Sequence, residues 1–159
     1  ADHIVGKAGH GWEVIERTLR RSAVGKCLEM VGGAQQVLEM TVQYAKDRVQ
    51  FDKPIGSFQA VQHHCANMVT DVDGSRLIAY QAAWMMSEGI SCNKEVSMAK
   101  AWVSDAYRRV VSLGHQIHGG VGFTKDHDMQ LYFRRAKAAE IAYGDGDFQR
   151  ELVATEMGI

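Results

Sequence analysis

The sequence predicts an all-α protein, an antiparallel up-and-down bundle of the four-helix type. Pro54 is the only proline among 159 residues, and such a scarcity of helix breakers favours long helices. Three segments carry apolar or small residues spaced three and four positions apart, which is the period of a helix with one buried face. Glycine-containing turns separate these segments, so consecutive helices can fold back on one another as a single domain.

The first predicted helix covers residues 12–48. A turn at residues 51–56 follows it, and Ser57 is the predicted N-cap of a second helix that ends near Gly89. Each helix has an apolar stripe that predicts its buried face. The stripe of the first helix begins with Val14, Ile15, Leu19, Ala23 and Cys27. That of the second includes Met68 and Val72 and ends with Leu77, Tyr80, Ala83 and Trp84.

The third predicted helix starts at a cap formed by Ser91 or Asn93 and stops at a glycine pair, residues 119–120. A loop follows, and then a shorter helix over about residues 128–140. A corner with two glycines, residues 143–146, precedes a last helix. Three long helices with two short ones are typical of a helical bundle.

Composition and charge exclude several classes of protein. Lysine and arginine number 18 against 19 aspartates and glutamates, a balance that predicts no nucleic acid as partner and no anionic membrane surface. No apolar run approaches the roughly 20 residues of a membrane span. The cysteines, Cys27, Cys65 and Cys92, are too few and odd in number for a disulfide framework. We therefore expect a reducing compartment such as the cytoplasm.

Two groups of histidines raise the question of a metal site. His63 and His64 adjoin Cys65, and His115 and His118 lie three positions apart on the third helix. A zinc site needs about four ligands in tetrahedral geometry. Neither group has further ligands at a suitable spacing, so the sequence predicts no metal site.

Four motifs in one order carry a resemblance to a known family. They read GHGW at 9–12, YAKDRVQFDKPI at 44–55 with FQAVQH at 58–63, QIHGGVGFT at 116–124 and IAYGDGDFQR at 141–150. Together they resemble the C-terminal domain of the acyl-CoA dehydrogenases, over essentially the whole chain. The resemblance implies that an N-terminal helical domain and a middle β domain belong to the same protein. Residues 1–11 are then the connection from that middle domain.

The resemblance implies an oxidoreductase activity, the FAD-dependent α,β-dehydrogenation of acyl-CoA thioesters. It also implies a homo- or hetero-oligomer, a dimer or a tetramer, in which the FAD site is shared between subunits. We expect the isolated domain to be inactive. A different class of function stays open, in which the chain is a non-catalytic helical module for oligomerisation or a partner subunit of a heteromeric dehydrogenase.

Two segments are candidates for cofactor binding. An arginine such as Arg48 at a helix end can bind a phosphate with its planar fork, or it can simply complement the helix dipole. By resemblance, Arg48, the aromatic Phe51 and the amide of Gln59 contact the pyrophosphate and adenine side of FAD. The same resemblance implies that Gln116 and the two glycines after it bind the flavin of the neighbouring subunit. Those two are Gly119 and Gly120, which allow close approach of a ligand or cap the helix.

The corner before the last helix departs from the family. By resemblance, Tyr143 occupies the position of the catalytic glutamate and Gly144 that of a substrate-contacting glycine. A tyrosine has a reference pKa of about 10, so a phenol is a poor replacement for a carboxylate that removes a proton near neutral pH. Some members carry the base on the first long helix, where Ser22 stands here. Arg20 and Ala23 replace an aspartate and an arginine that handle the substrate.

Asp145 and Asp147 are the carboxylates nearest to this corner. Negative residues at a helix start favour a capping role, while the resemblance places both beside the flavin. Two hypotheses follow for the proton. Either a partner subunit supplies the base while this chain helps to bind FAD, or Asp145 acts as a substitute base; we prefer the first, because the glutamate and the usual substrate pair are absent together.

Overall fold

A computed structural model describes His3 and residues 6–159 of the chain. It confirms the all-α prediction. Part of the predicted connecting loop, at positions 1, 2, 4 and 5, lies outside the described residues. Five α-helices, one two-stranded hairpin and two short 3-10 helices make up the regular structure of the described part. They are α1 (Gly11–Asp47), β1 (Val49–Gln50), β2 (Lys53–Pro54), a 3-10 turn (Ile55–Ser57), α2 (Gln59–Ser87), α3 (Asn93–His118), a 3-10 turn (Gly119–Phe123), α4 (Met129–Ile141) and α5 (Gly146–Met157).

Helices α1 and α3 run side by side in the same direction. Near their N-termini the guanidinium of Arg20 donates a hydrogen bond to the side chain of Asn93. Near their C-termini the ring of Tyr44 stacks on that of His118, with 4.4 Å between the centroids. We call the end of the bundle near the N-termini of α1 and α3 the corner end, after the corner between α4 and α5. The opposite end is the hairpin end, because the β1–β2 hairpin directly follows α1.

Helix α2 runs antiparallel to α3. Asp71 pairs with Arg109 across the two helices at 2.7 Å, whereas Gly74, one turn further along α2, lies beside Trp102, an earlier residue of α3. Helices that approach in this crossed order point in opposite directions. Consecutive helices therefore alternate in direction, as the sequence predicts for an up-and-down bundle.

Helix α3 is the central helix and contacts each of the other four. Helix α4 runs antiparallel to it. Met129 at the start of α4 packs beside Gly114 of α3, and Glu140 near the end of α4 is joined by a hydrogen bond to Lys100. The α4–α5 corner consequently lies at the corner end, next to the first turns of α3.

The buried stripe of α1 starts later than the sequence indicates. Ala23 is its first buried residue, whereas Val14, Ile15 and Leu19 are exposed. With 37 residues, α1 is longer than α2, which has 29, and α3, which has 26. Its first three turns project beyond the helices that cover the rest of it, and this accounts for the difference.

Met68 and Val72 of the predicted apolar stripe of α2 are buried, but the later part of the buried face differs from the prediction. Leu77, Tyr80 and Trp84 are exposed, with 74% of Leu77 accessible. The face that packs on α1 and α3 is instead built mainly of small side chains. It consists of Met68, Val72, Ser75, Ala79 and Ala82. Small residues let the helices approach closely. The large residues Leu77, Tyr80 and Trp84 lie on the outer face of α2 and form a stripe, which we call the α2 stripe.

Three predicted caps are wrong. Ser57 lies in a 3-10 turn and its hydroxyl bonds within that turn, so it does not cap α2. Cys92 precedes α3 without a side-chain cap, and Asn93 is already helical, with its side chain engaged by Arg20. Ser91 likewise lies outside the cap position. The cap signals failed at Ser57 because its hydroxyl bonds to the carbonyl of Pro54, and at Asn93 because its side chain contacts Arg20 of α1.

The state of the cysteines and the apolarity of the helices bear on the environment of the chain. Cys27, Cys65 and Cys92 are all free thiols, and burial raises the pKa of the Cys27 thiol to about 12. Within the described residues, no helix combines the length and the apolarity needed for a membrane span.

We expect Gly114→Ala to destabilise the bundle by about 1–3 kcal/mol, the usual cost of overpacking a core. A Cβ there would lie 2.9 Å from Cγ1 of Val37 and 3.2 Å from Cε of Met129. Gly25→Ala is the matched control, because its Cβ would meet nothing within 4 Å and alanine is the better helix former. Urea denaturation of both variants tests this; equal stabilities would contradict the described packing of α1, α3 and α4.

Candidate functional site

The β1–β2 hairpin holds two non-glycine residues in the left-handed backbone region. Phe51 has φ 54° and Asp52 has φ 62°. Two consecutive positive φ angles are typical of the tight turn that matches the twist of a two-residue hairpin. Each costs roughly 1–2 kcal/mol without glycine. The aromatic side chain is therefore kept at the tip of the hairpin at an energetic cost.

The tip presents an aromatic ring and a cation to solvent. Phe51 is 85% exposed, and its ring meets that of Phe58 edge-on at 6.1 Å. Arg48 ends α1, and among the described residues its guanidinium has neither a hydrogen-bond nor an ion-pair partner. Gln59, the first residue of α2, is exposed nearby. A free planar cation beside an exposed ring suits a phosphate and a planar base.

The C-terminus of α3 lies at the same end of the bundle. The stacking of Tyr44 on His118 brings it to the end of α1. Gln116 and Gly120 are exposed there, and Gly119 has φ 61°, a conformation that favours glycine. The structure thus brings the predicted cofactor residues of both segments to the hairpin end.

Buried histidines support this end from within. His115 is 4% exposed, packs against the rings of Phe123 at 4.6 Å and Phe133 at 4.9 Å, and neither of its ring nitrogens has a partner in the described part. His118 donates from Nδ1 to the carbonyl four residues earlier at 2.8 Å. Burial, with a contribution from nearby His127, lowers the pKa of both His115 and His118. The described residues include no cluster of three or more potential metal ligands.

The corner end contains a pocket of ≈ 490 Å³. The projecting turns of α1, the first turns of α3, the α4–α5 corner and α5 form its walls, which are mostly apolar. The lining residues are Trp12, Glu16, Leu19, Arg20, Ala23, Asn93, Val96, Ser97, Tyr143, Gly144, Phe148, Gln149, Leu152 and Glu156.

The corner itself is tightly specified. Tyr143 lines the pocket with φ 61°, and Gly144 follows with φ 90°. The amide of Gln149 donates to the carbonyl of Tyr143 at 2.7 Å. A Cβ on Gly144 would lie 2.3 Å from Cδ1 of Phe148, so only glycine fits there. Two consecutive left-handed residues therefore set the direction in which the tyrosine side chain leaves the backbone.

Both aspartates after the corner have structural partners. Oδ1 of Asp145 accepts from the backbone N–H of Phe148 at 3.0 Å and caps α5. Asp147 lies in the first turn of α5 and pairs with Arg150 at 3.0 Å. Neither side chain is among those lining the pocket. The capping interpretation accounts for Asp145, and a dipole-favoured position accounts for Asp147.

A polar cluster forms one wall of the pocket. Arg20 pairs with Glu16 at 2.6 Å and also donates to Asn93. Glu16 lies at the pocket edge. The i,i+4 spacing of Glu16 and Arg20 was the available signal. Ala23 is buried in the same wall, whereas Ser22 is not among the lining residues.

The two ends are far apart within one chain. From Ser97 at the pocket to Gln116 at the hairpin end, α3 rises by roughly 28 Å at 1.5 Å per residue. The corner residues and the hairpin residues of one chain therefore cannot line a common pocket.

A family model described as "Acyl-CoA dehydrogenase, C-terminal domain" matches residues 9–158. The chain belongs to the acyl-CoA dehydrogenase family. The match covers all five helices, and with it the motifs at the hairpin end and at the corner.

Individual relatives agree with this assignment. An acyl-CoA dehydrogenase of Bacillus subtilis (strain 168) is 35% identical over 152 residues, 96% of this chain and 40% of the relative. The solved butyryl-CoA dehydrogenase from Megasphaera elsdenii has a TM-score of 0.94 at 29% identity, over 97% of this chain and 40% of that one. PigA, solved with FAD and proline, has a TM-score of 0.93 at 27% identity, over the same shares. The acyl-CoA dehydrogenase domain described here thus spans about 40% of the length of these relatives.

We expect the domain to lose stability in mild acid because of its buried histidines. A histidine whose pKa is lowered on folding binds its proton more readily in the unfolded chain. Stability is therefore complete above the unfolded pKa of about 6.5 and falls as the pH drops below it, by up to about 1.4 kcal/mol per pH unit for each histidine. Urea denaturation at pH 7.5 and 5.5 measures this loss.

The variant His115→Leu should reduce that loss, whereas His63→Leu, at an exposed histidine of α2, should leave it unchanged. An equal loss in both variants and the wild type would show that carboxylates or other groups govern the acid sensitivity.

Proposed function

We propose that the chain is the C-terminal domain of an FAD-dependent enzyme that carries out α,β-dehydrogenation of acyl-CoA thioesters. The observation that carries this proposal is the apolar pocket at the corner end, because the corner that bears the family's catalytic position forms one of its walls. FAD, when bound, supplies the acceptor for the hydride from the substrate β-carbon. The domain's residues then bind the acyl chain, exclude water and orient the thioester.

We further propose that residues 1–159 form one domain of a longer protein and that residues 1–11 are its connection to a middle domain. Support comes from the match over residues 9–158 and from the share of about 40% that the chain spans in its relatives. The exposed apolar turns of α1, which line the pocket on one side, are then covered by the rest of the protein. The same arrangement explains why we expect the isolated domain to be inactive.

The hairpin end fits a dinucleotide cofactor. Arg48 is free to bind the pyrophosphate, and the exposed Phe51 offers a ring face to the adenine side. Gln59 and Gln116 provide amides near them, and the glycines that end α3 leave the backbone accessible. These contacts have no competing partners among the described residues, which favours a binding role over a purely structural one.

The separation of the two ends favours a site shared between subunits. The corner end of one subunit lies about 28 Å along α3 from the hairpin end of that same subunit. We propose that the hairpin end contacts the cofactor of a neighbouring subunit. The α2 stripe of Leu77, Tyr80 and Trp84 supports oligomerisation, because exposed apolar patches of this kind mark association surfaces.

The proton-removing group is proposed to come from a partner subunit. Tyr143 stands at the catalytic position, and Asp145, the substitute considered above, uses a carboxylate oxygen to cap α5. The carboxylates that line the pocket are Glu16, already paired with Arg20, and Glu156 on α5. A non-catalytic partner subunit of a heteromeric dehydrogenase is the second candidate function, and the missing carboxylate at the corner favours it.

The variant Tyr143→Glu tests the role of the corner. We expect the full-length wild-type protein, without a partner, to reduce its flavin slowly on addition of butyryl-CoA. A carboxylate in place of the phenol should accelerate this step by at least about 100-fold, the lower range for a positioned general base. Anaerobic absorbance at the flavin maximum measures the rate.

Tyr143→Gln is the matched control, since it places an amide of the same size at the corner but no base. Rapid flavin reduction by the unpartnered wild type would overturn the proposal that another subunit supplies the base.

The variant Arg48→Gln tests the cofactor site. Loss of a charge-assisted hydrogen bond to a phosphate costs about 1.5–3 kcal/mol, so we expect FAD to bind at least tenfold more weakly. Lys46→Gln makes the same change in charge at an exposed residue two positions earlier. Fluorescence titration of apoprotein with FAD compares them; equal affinities would place the cofactor elsewhere.

A further inference from the structure

The described structure contains a buried cation that the proposed reaction does not use. Lys100 lies in the first third of α3 with 0% of its surface exposed. Its ammonium has three donors, and each finds an acceptor. Nζ donates to Oγ of Ser104 at 2.9 Å, to the carbonyl of Glu140 at 2.9 Å and to the carbonyl of Gly144 at 3.0 Å.

All three acceptors are neutral. Among the described residues, no carboxylate lies within ion-pair distance of the Lys100 ammonium, and burial lowers the pKa of this lysine. Placing a cation in such surroundings is costly, since the group loses its hydration without gaining a counterion. The hydrogen bonds to the carbonyls of Glu140 and Gly144 show which parts of the chain the buried ammonium holds together.

The two carbonyls belong to the end of α4 and to the corner. Glu140 is the second-last residue of α4, where helix carbonyls lack partners within the helix and a positive charge is favourable. Gly144 follows Tyr143 at the left-handed corner. One ammonium therefore joins α3, the last turn of α4 and the corner.

We propose that Lys100 is a positioning residue that fixes the α4–α5 corner and so determines the shape of the pocket wall formed by Tyr143 and Gly144. Gln149 holds the carbonyl of Tyr143 from the α5 side at 2.7 Å, and Lys100 holds the next carbonyl from the α3 side. A backbone in the left-handed region relaxes unless its surroundings hold it. This inference rests on the proposed function only in assigning an acyl-CoA thioester to the pocket.

The variant Lys100→Met tests the proposal, because methionine keeps a long unbranched chain and removes the charge and all three donors. Ser104→Ala is the matched control: it removes one partner of the same ammonium and leaves both bonds to the corner region. Amide hydrogen exchange of the full protein reports the order of the corner, and calorimetric titration with butyryl-CoA reports the pocket.

In Lys100→Met we expect exchange at residues 142–149 to accelerate at least tenfold relative to residues 102–112 of α3, and butyryl-CoA to bind at least fivefold more weakly. Ser104→Ala should change both by less than twofold. Uniform acceleration along the bundle, or no change at the corner, would overturn the proposal. If the wild type does not bind butyryl-CoA, the proposed function fails, while the exchange comparison still tests the positioning role.

A second measurement covers the case in which Lys100→Met does not fold. In wild-type protein with ¹⁵N-labelled lysine, the Lys100 ammonium protons should exchange with water at least tenfold more slowly than those of exposed lysines such as Lys46. Exchange at the rate of the exposed lysines would show that the ammonium is not held by the corner, and would overturn the proposal.

Discussion

The rigid length of α3 is the constraint on which the functional geometry depends. This helix is the central element of the bundle, and its two ends carry the two halves of the candidate site. Because an α-helix neither bends nor shortens easily, Ser97 at the pocket and Gln116 at the hairpin end stay roughly 28 Å apart. This separation is the geometric basis of the proposal that the cofactor site is shared between two subunits. Under this proposal, the cofactor site forms only when the association surface is occupied by a second subunit.

Helix positions could be predicted from the sequence, whereas the direction of some helix faces could not. Periodicity and glycine spacing identified all five helices, since these signals are local. The face of α2 was misassigned because large apolar residues such as Leu77 and Trp84 were taken to be buried, while the core side uses small residues such as Ala79 and Ala82. Only the close approach of α1 and α3 decides between these faces. Ile15 of α1 was also predicted to be buried but is exposed, because its burial depends on where the neighbouring helices end.

The candidate site likewise contains residues that could be identified from the sequence and one that could not. The resemblance brought Arg48, Phe51 and Tyr143 to attention, because they lie in its motifs. Lys100 was missed, since a lysine is usually a solvated residue. Its position relative to the buried stripe of α3 was the available signal, because it falls on the face that includes Val96 and Val103. Its partners are backbone carbonyls 40 and 44 residues away, and no sequence pattern encodes such contacts.

The corner combines a backbone in the left-handed region with several contacts that hold it in place. Gly144 remains where a side chain would collide with Phe148, Gln149 and Lys100 hold successive carbonyls, and an aspartate caps α5. These features shape the backbone and do not depend on which side chain stands at the preceding position. The corner backbone is therefore compatible with the aromatic side chain of Tyr143, which lines the pocket. The proposed function needs no more from this corner than a shaped wall for the acyl group, because a neighbouring subunit is proposed to supply the proton-removing group.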